Sequence, residues 1–312
     1  GVKQQVDCFA DIAGDFLGDN PGAIGFSKQF ADGRRVRSSK DKMNRLYVVE
    51  SGFSTTGAMA DHRKRLATSQ MTGLLAAAAL EIDLGVEGDA LKPIFQKLAS
   101  GLDAGTKEWI SKSIADLAHF KGESLVYAGP QLSKEAHGIA LLINEKLGNL
   151  GKTVSLVEIE ADESASIEDL AAAIDSGSID TLIISGGNPV YNAPVELDFS
   201  SKLSQVEMVV RLGYYDDETS EKSNYHFVQA HYLESWGDGR TYAGDVVAQQ
   251  PMIMPLFEGI SEIELLGSLV GEANTDGHSL VYETLQKAGA KGRIGFDKFL
   301  HDGFLGDSAY KA

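Results

Sequence analysis

Thr181-Leu182-Ile183-Ile184-Ser185-Gly186-Gly187-Asn188-Pro189 is an apolar run that ends in a glycine-rich turn. Apolar residues side by side are typical of a strand that is buried on both faces of a parallel sheet. In the turn, glycine lets the backbone approach a ligand closely, asparagine offers both a donor and an acceptor, and proline fixes the chain direction. Taken alone, the same residues also fit an ordinary strand-ending turn, so the rest of the chain has to decide between the two interpretations.

A strand–helix alternation surrounds this stretch. In the second half, apolar runs and capping residues predict three more strands and two helices: strands 124–129, 154–159 and 206–212, and helices that follow the N-caps Ser133 and Ser166. In the first half the same signals predict strands 6–13 and 45–50 and helices 23–30, 69–84, 90–98 and 106–119. Such an alternation requires right-handed crossovers and a parallel sheet with helices on both faces. Ligands of these sheets bind beyond the carboxyl ends of the strands.

Each half of the chain also places a similar turn after an apolar strand. Gly18-Asp19-Asn20-Pro21 follows the first strand, and Gly187-Asn188-Pro189 follows the strand quoted above. We therefore predict an α/β protein with two related, doubly wound, parallel-sheet domains. The predicted bounds are 1–120 for the first domain, 121–260 for the second, and 261–312 for a C-terminal helical segment and tail.

Charge and cysteine content exclude several classes of function. The 312 residues hold 28 Lys and Arg against 45 Asp and Glu, a formal net charge of −17, which argues against nucleic-acid binding because phosphate contacts need clustered basic residues. Cys8 is the one cysteine, so neither a disulfide within the chain, nor an all-cysteine iron–sulfur cluster, nor a cysteine-based zinc site can form. The longest apolar stretch, 71–82, is too short to span a bilayer, and no signal-peptide pattern opens the chain, so we expect a soluble polypeptide. Gly1 in place of Met predicts that the chain is cut from a larger protein.

Several separate motifs agree in order and spacing with one known family. The chain resembles the molybdopterin oxidoreductases related to dimethyl sulfoxide reductase in the segments 18–21, 43–51, 60–63, 147–152, 187–189, 231–238 and 300–303. Within that family it is most similar to the molybdopterin-like part of the large iron–sulfur subunit of bacterial alternative complex III, a quinol-oxidising membrane complex. The resemblance extends over nearly the whole chain.

The resemblance implies a set of cofactor-binding positions. In that family two related central α/β domains each hold the guanosine end of one half of a bis-molybdopterin guanine dinucleotide. The positions that match are Gly18, Asn20, Pro21, Glu50, Gly187, Asn188, Pro189, Glu234 and Gly237.

The chain departs from the active family at the residues that carry its chemistry. The cluster cysteines are missing, Glu50-Ser51 stands where active enzymes have Asp-Pro, and Ala67-Thr68-Ser69-Gln70 stands where they have Pro-Gly-Thr-Asp. The resemblance thus implies a cofactor-free, non-catalytic scaffold with no metal site, which supports electron transport at the periplasmic face of the cytoplasmic membrane. Its expected partners are the other subunits of the respiratory complex and the iron–sulfur part of its own chain. An acidic face could also dock a basic electron-carrier protein, but solubility alone explains the same negative charge.

Two alternatives stay open. The chain could instead be the central part of an active molybdenum enzyme that binds the nucleotide ends of bis-molybdopterin guanine dinucleotide. More remotely, His231, Glu234 and Asp238 could form a metal site or an acid–base pair of a small-molecule enzyme, although Tyr232 and Trp236 favour a packed, hydrogen-bonded loop.

Three further clusters receive a structural interpretation. The acidic run 214–219 could bind a cation but is better explained as a strand end that caps the next helix. The basic run 34–40 is interpreted as a solvated loop. Asp61-His62-Arg63 could form a charge relay, but no Ser or Cys lies in a recognisable nucleophile elbow, so no catalytic residue is predicted.

Overall fold

A computed structural model describes residues 6–82, 84–158 and 164–311, apart from the side chains of residues 86 and 87. The chain divides into two compact units between Val157 and Glu158. No helix in the described residues has both the length and the apolar character needed to cross a membrane.

The first unit is a parallel sheet with helices on both faces. Its elements are β1 (Cys8–Ile12), α1 (Ala23–Gly33), β2 (Arg45–Glu50), α2 (Thr55–Ala58), β3 (His62–Arg65), α3 (Thr68–Leu80), α4 (Gly85–Gly88), α5 (Lys92–Ala99), α6 (Ala104–His119), β4 (Ser124–Ala128) and α7 (Lys134–Lys146). The strand order is β3-β2-β1-β4, and every neighbouring pair is parallel.

Alternation along the strands of this sheet builds two cores. Cys8, Ala10 and Ile12 point to the face covered by α3, α5, α6 and α7, while Phe9 points to the opposite face, where it packs against Phe30 of α1. Because successive strand residues face opposite sides, an apolar strand such as β2 fills both cores at once. The first unit is therefore doubly wound, as predicted.

The second unit contains a smaller parallel sheet, a hairpin and a group of helices. Its elements are α8 (Ile167–Asp175), β5 (Thr181–Ser185), α9 (Pro189–Asn192), α10 (Phe199–Leu203), β6 (Met208–Gly213), β7 (Tyr225–Val228), β8 (Gly237–Arg240), β9 (Val246–Gln249), α11 (Glu262–Val270), α12 (Gly277–Ala288) and α13 (Gly292–Asp302). The strand order β5-β6-β7 is parallel, and β8 pairs with β9 in an antiparallel hairpin.

One face of the β5-β6-β7 sheet forms a core; on the other face Leu212 of the central strand is buried, but side chains of the edge strands are exposed. Leu182 and Ile184 lie in the core formed with α8 and α10. On the opposite face, Ile183, Tyr225 and Phe227 are 40%, 56% and 44% exposed.

The local signals for helices and strands are largely confirmed. Ser133 and Ser166 are N-caps, and Ser166 forms a capping box with Asp169 at the start of α8. In such a box the two side chains satisfy backbone N–H groups that the first turn leaves free. The predicted strands 45–50 and 181–185 form with the same bounds.

Two predictions differ from the structure. Residues 155–158 of the predicted strand 154–159 are irregular and exposed, Val154 forms only an isolated bridge with Leu150, and residue 159 lies outside the described residues. The domain boundary predicted at 120/121 lies instead at 157/158, because β4 pairs with β1 and so completes the first sheet.

Candidate functional site

The first unit has a topological switch point between β1 and β4. From β1 the chain crosses to β2 on one side, and later returns to β4 on the other side of β1. In open α/β sheets the crevice at the carboxyl ends of two such strands is the usual ligand site. Here those ends lead into Ala13-Gly14-Asp15 and Gly129, and Ala13 and Asp15 both adopt positive φ angles, of 58° and 40°. Such backbone strain in residues other than glycine is concentrated at functional sites.

Asp11 and Gly14 fill the centre of this crevice. The Asp11 side chain is 1% exposed and accepts a 2.6 Å hydrogen bond from the backbone N–H of Gly14. A Cβ on Gly14 would lie 2.4 Å from both the Asp11 carboxylate and the Tyr127 ring. Burial raises the pKa of Asp11 to about 7; the charges of Asp15 and Glu50 add to this, while hydrogen bonds from the backbone of Gly14 and Phe16 oppose it.

Asp15 ties the turn to α2. Its carboxylate accepts hydrogen bonds from the backbone N–H and the hydroxyl of Thr56, at 2.9 and 2.8 Å. Burial alone would raise the pKa of Asp15, but hydrogen bonds from Thr56, Asp19 and Ser54 together outweigh burial and lower it. The carboxylate is therefore held in its charged form at the strand end.

Gly18, Asn20 and Pro21 lie farther along the same loop, six or more residues beyond the end of β1. The Asn20 amide donates to the Tyr127 hydroxyl at 3.1 Å, and its oxygen accepts from the backbone N–H of Gly22 at 2.9 Å. The N–H of Gly18 donates to the backbone oxygen of Asp15. Asn20 thus leads the chain into α1 and uses its hydrogen-bonding groups within the protein.

Glu50 ends β2 and is 5% exposed. Its carboxylate accepts hydrogen bonds from the Ser54 hydroxyl and backbone N–H and forms an ion pair with Arg63 on β3. The carboxylate at this predicted site is therefore bound by the chain's own donors.

A second feature at this edge of the sheet is a cleft of about 440 Å³ at the carboxyl ends of β2 and β3. The residues that line it are Ser51, Lys64, Arg65, Leu66, Ala67, Gln70, Asp103 and Thr106. The N-terminus of α3 opens here, and its N-cap residue Ala67 provides no side-chain cap. The cleft therefore combines two cations and the Asp103 carboxylate with the positive end of a helix dipole.

In the second unit, Gly187, Asn188 and Pro189 follow β5 directly. Gly186 and Gly187 have φ angles of 63° and 57°, and a Cβ on either residue would meet nothing within 4 Å. Asn188 donates to the Glu218 carboxylate at 2.7 Å and accepts from the Thr219 hydroxyl at 2.7 Å. The glycine pair is open to solvent, whereas the asparagine side chain bonds to its neighbours.

Arg211 is the buried cation of this sheet and is 2% exposed. Its guanidinium donates to the backbone oxygen of Gly186 and forms a 2.8 Å ion pair with Asp217, while its Nε atom is buried without a hydrogen-bond partner. The hydrogen bonds of Asp217, to Ser220 and to Arg211, outweigh burial and lower the pKa of its carboxyl.

The predicted loop 231–238 is held together by Glu234. Its carboxylate accepts hydrogen bonds from the backbone N–H of His231 at 3.0 Å and of Leu256 at 3.3 Å. Gly237 is buried at the start of β8, where a Cβ would lie 3.2 Å from the Gln249 amide. These contacts confirm a hydrogen-bonded loop, but Tyr232, which was expected to pack, is 55% exposed. In the part of the chain that the structure describes, no group of three or more His, Cys, Asp or Glu side chains is arranged to hold a metal ion.

The donor set decides how well a bis-molybdopterin guanine dinucleotide would fit. A pyrophosphate needs backbone N–H groups or cations around it. At the ends of β1 and β2 it would meet the carboxylates Asp11, Asp15 and Glu50, already bonded within the protein, and at the end of β5 it would meet Glu218. These strand ends do not fit the group, whereas the cleft at Lys64 and Arg65 has the polarity that it requires.

Comparisons with known proteins establish the fold. A scan of family models finds no match, and no curated protein is significantly similar in sequence. Among solved structures, acetylene hydratase from Pelobacter acetylenicus aligns with a TM-score of 0.65 and 14% sequence identity, over 85% of this chain and 46% of that chain. The chain therefore spans about half the length of this structural neighbour. The similarity confirms the predicted α/β fold class.

Sequence reasoning missed the residues at the switch point itself. Pairing of β1 with β4 brings Asp11 beside Tyr127, and pairing of β1 with β2 on the other side brings in Thr56, which bonds to Asp15. The signal available was Gly14, which follows β1 at once, whereas the Gly18–Pro21 turn lies several residues beyond it.

Proposed function

We propose that this chain is a cofactor-free, non-catalytic scaffold module with a molybdopterin oxidoreductase-like fold, in a subunit of a respiratory quinol-oxidising complex. The observation that carries the proposal is the chemistry of the switch point. There the carboxyl groups of Asp11, Asp15 and Glu50 lie at the strand ends and are bonded within the protein. The charge of Asp15 disfavours a bound pyrophosphate. Its hydrogen bonds tie the loop to α2, and the ion pair of Glu50 joins β2 to β3.

The proposed role is to hold neighbouring proteins in place. Its partners would be the other subunits of a membrane complex and the iron–sulfur part of the parent chain, with the module at the periplasmic face. Cys8 cannot contribute an exposed thiolate, because it is fully buried and burial raises its pKa to about 12, with nearby Asp116 adding to the shift. Electrons would therefore pass through groups elsewhere in the complex.

Metal and pterin analysis of the full-length protein tests this function. The protein would be produced in a host that makes molybdopterin guanine dinucleotide, beside a molybdenum enzyme of known cofactor content as a loading control. We expect background molybdenum and tungsten and no fluorescent pterin oxidation product. Stoichiometric metal together with pterin would overturn the proposal.

A second function is favoured by one observation, the cleft of about 440 Å³ that is lined by Lys64 and Arg65. Under it, the chain is the central part of an active molybdenum enzyme, and the cleft would hold one nucleotide end of the cofactor. Its test is the pterin content of the double variant Lys64→Ser and Arg65→Ser, which falls below that of the parent protein only if the cleft binds the nucleotide.

A further inference from the structure

Three loop segments of the second unit, 214–215, 232–233 and 252–257, display an unusual amount of apolar side chain. We call this region the aromatic–methionine surface; its members are Tyr214, Tyr215, Tyr232, Leu233, Met252, Ile253, Met254, Leu256 and Phe257. Met252, Met254 and Phe257 are 76%, 81% and 77% exposed, and the remaining members lie between 41% and 76%. Single exposed apolar residues are ordinary, but a contiguous group marks an interaction site.

Hydrogen bonds make this surface a defined structure. The backbone N–H of Met252 donates to Leu233 at 2.7 Å, and that of Leu256 donates to the Glu234 carboxylate at 3.3 Å. Beyond the segment 252–257, Ile260 joins the end of β7 by backbone hydrogen bonds with Val228 and Ala230. The apolar side chains are thus presented on a backbone that is fixed at both ends.

The aromatic members continue the surface from the carboxyl end of β6. The rings of Tyr215 and Tyr214 lie 6.4 Å apart, those of Tyr214 and His231 5.8 Å apart, and those of His231 and Tyr232 4.3 Å apart. Tyrosine and methionine are both enriched at protein interfaces, where tyrosine supplies a rigid ring and methionine adapts its shape.

The charge around the surface has one sign. The stretches 214–234 and 250–264 contain eight carboxylates and one lysine: Asp216, Asp217, Glu218, Glu221, Glu234, Glu258, Glu262, Glu264 and Lys222. Arg211 neutralises Asp217 from outside these stretches. Burial, followed by the charges of Glu262 and Glu234, raises the pKa of Tyr214.

We infer that the aromatic–methionine surface docks a segment of a partner protein that carries both basic and apolar side chains. Arginine suits it because a guanidinium can pair with carboxylates and stack on tyrosine rings. A second copy of this chain does not suit it, because two such surfaces would bring carboxylates face to face. The inference extends the proposed scaffold role. It depends on that role only in taking the partner to be another protein.

Binding of short labelled peptides to the full chain tests the inference. The probe alternates Arg with Leu, one control peptide replaces Arg by Glu, and the other replaces Leu by Ser. Fluorescence anisotropy should give a dissociation constant at least about tenfold tighter for the Arg–Leu peptide than for either control. Because the carboxylates contribute, added salt should weaken this binding.

Variants locate the binding on the protein. The double variant Met254→Ser and Phe257→Ser should weaken Arg–Leu binding at least about tenfold. Ile294→Ser, which alters a side chain that is 86% exposed elsewhere in the same unit, should leave it unchanged. All these side chains are exposed, and thermal unfolding will confirm that the variants keep the fold.

Three outcomes would overturn the inference. These are no binding of the Arg–Leu peptide up to its solubility limit, equal binding by the parent protein and the double variant, and a concentration-dependent dimer that Phe257→Ser abolishes. The last outcome would assign the surface to a second copy. None of them depends on metal or pterin content, so failure of this inference is distinguishable from failure of the proposed function.

Discussion

The backbone N–H of Gly14 donates to one oxygen of the Asp11 carboxyl group, while the other oxygen is buried without a hydrogen-bond partner. A buried, half-satisfied carboxylate favours its protonated form, because water no longer stabilises the charge. The pKa of about 7 follows mainly from this burial. The geometry therefore predicts that Asp11 binds a proton near neutral pH.

We expect Asp11 to lower the stability of the fold as the pH rises. Between about pH 4 and pH 7, the folded protein keeps a proton at Asp11 that the unfolded chain has released, so the free energy of unfolding falls through this window. The loss is on the order of 4 kcal/mol, at about 1.36 kcal/mol for each pKa unit. The Asp11→Asn variant lacks this pH-dependent loss of stability, and it is more stable than the parent protein at pH 8. Urea unfolding, followed by Trp109 fluorescence in a Trp236→Phe background, measures it.

Asp19→Asn is the matched control for that experiment, because Asp19 is exposed in the same loop. It should keep the pH dependence of the parent protein. An Asp11→Asn variant with the same slope as the parent would show that Asp11 is charged throughout the window.

The packing of Gly57 against Glu50 gives a second prediction. A Cβ at position 57 would overlap the Glu50 carboxylate and push it away from Arg63. Gly57→Ala should therefore lower the free energy of unfolding by about 2 kcal/mol or more. Gly52→Ala, where a Cβ meets nothing within 4 Å, should change it by less than about 0.5 kcal/mol. If urea unfolding shows that Gly57→Ala and Gly52→Ala change the free energy of unfolding equally, the close packing of Gly57 against Glu50 is contradicted.

A third prediction concerns Asn149, which is fully buried in the turn after α7. Its amide oxygen accepts from the Ser124 hydroxyl at 3.2 Å, and its amide nitrogen donates to Asn144 at 2.9 Å. Asn149→Ala leaves the buried Ser124 hydroxyl without its acceptor, while the Asn144 oxygen still accepts from the backbone N–H of Val126. The substitution should cost about 1–3 kcal/mol. Asn192→Ala, at an exposed position, should be nearly neutral. Loss of hydrogen-exchange protection in β4 of the Asn149 variant is the accompanying measurement.

The elements that the sequence predicts well are those specified by neighbouring residues. Ser133 and Ser166 cap their helices by bonds within one turn, and the apolar run 181–185 is a strand whatever pairs with it. Pairing partners depend on distant segments, which is why β4 belongs to the first sheet although it follows the predicted boundary.

The two similar turns illustrate the same limit at the candidate site. Asn20 and Asn188 share a sequence pattern, yet Asn188 lies three residues beyond β5 while Asn20 lies eight residues beyond β1 and bonds to Tyr127. The number of residues between the strand end and the turn differs in the two units. This difference becomes visible only when the structure gives the bounds of the strands. The carboxylate Glu50 was recognised from the resemblance, but its bond to Arg63 depends on the pairing of β2 with β3.

Arg211 gives a fourth prediction. Arg211→Met leaves the partly buried Asp217 without its cation and should cost about 3 kcal/mol, because an unpaired charge in a protein interior is strongly destabilising. The double variant Arg211→Met and Asp217→Asn should recover part of that loss. Lys202→Met removes a pair whose acid, Asp175, is 54% exposed, and should cost about 1 kcal/mol or less. Thermal unfolding of the parent protein and of these three variants measures the three changes in stability.

Glu234 provides the last prediction, and it separates a structural role from a metal site. Because its carboxylate binds the backbone of both His231 and Leu256, Glu234→Ala should release the loop segment 252–257 and speed hydrogen exchange there. Glu234→Gln keeps one acceptor oxygen and should show a smaller increase. A metal site would behave differently. Zinc would then raise the thermal stability of the parent protein, but not that of Glu234→Ala, Glu234→Gln or His231→Ala. Such a zinc-dependent rise in thermal stability would contradict the structural role. Faster hydrogen exchange in the variants without any effect of zinc is the result expected when one carboxylate accepts two backbone hydrogen bonds.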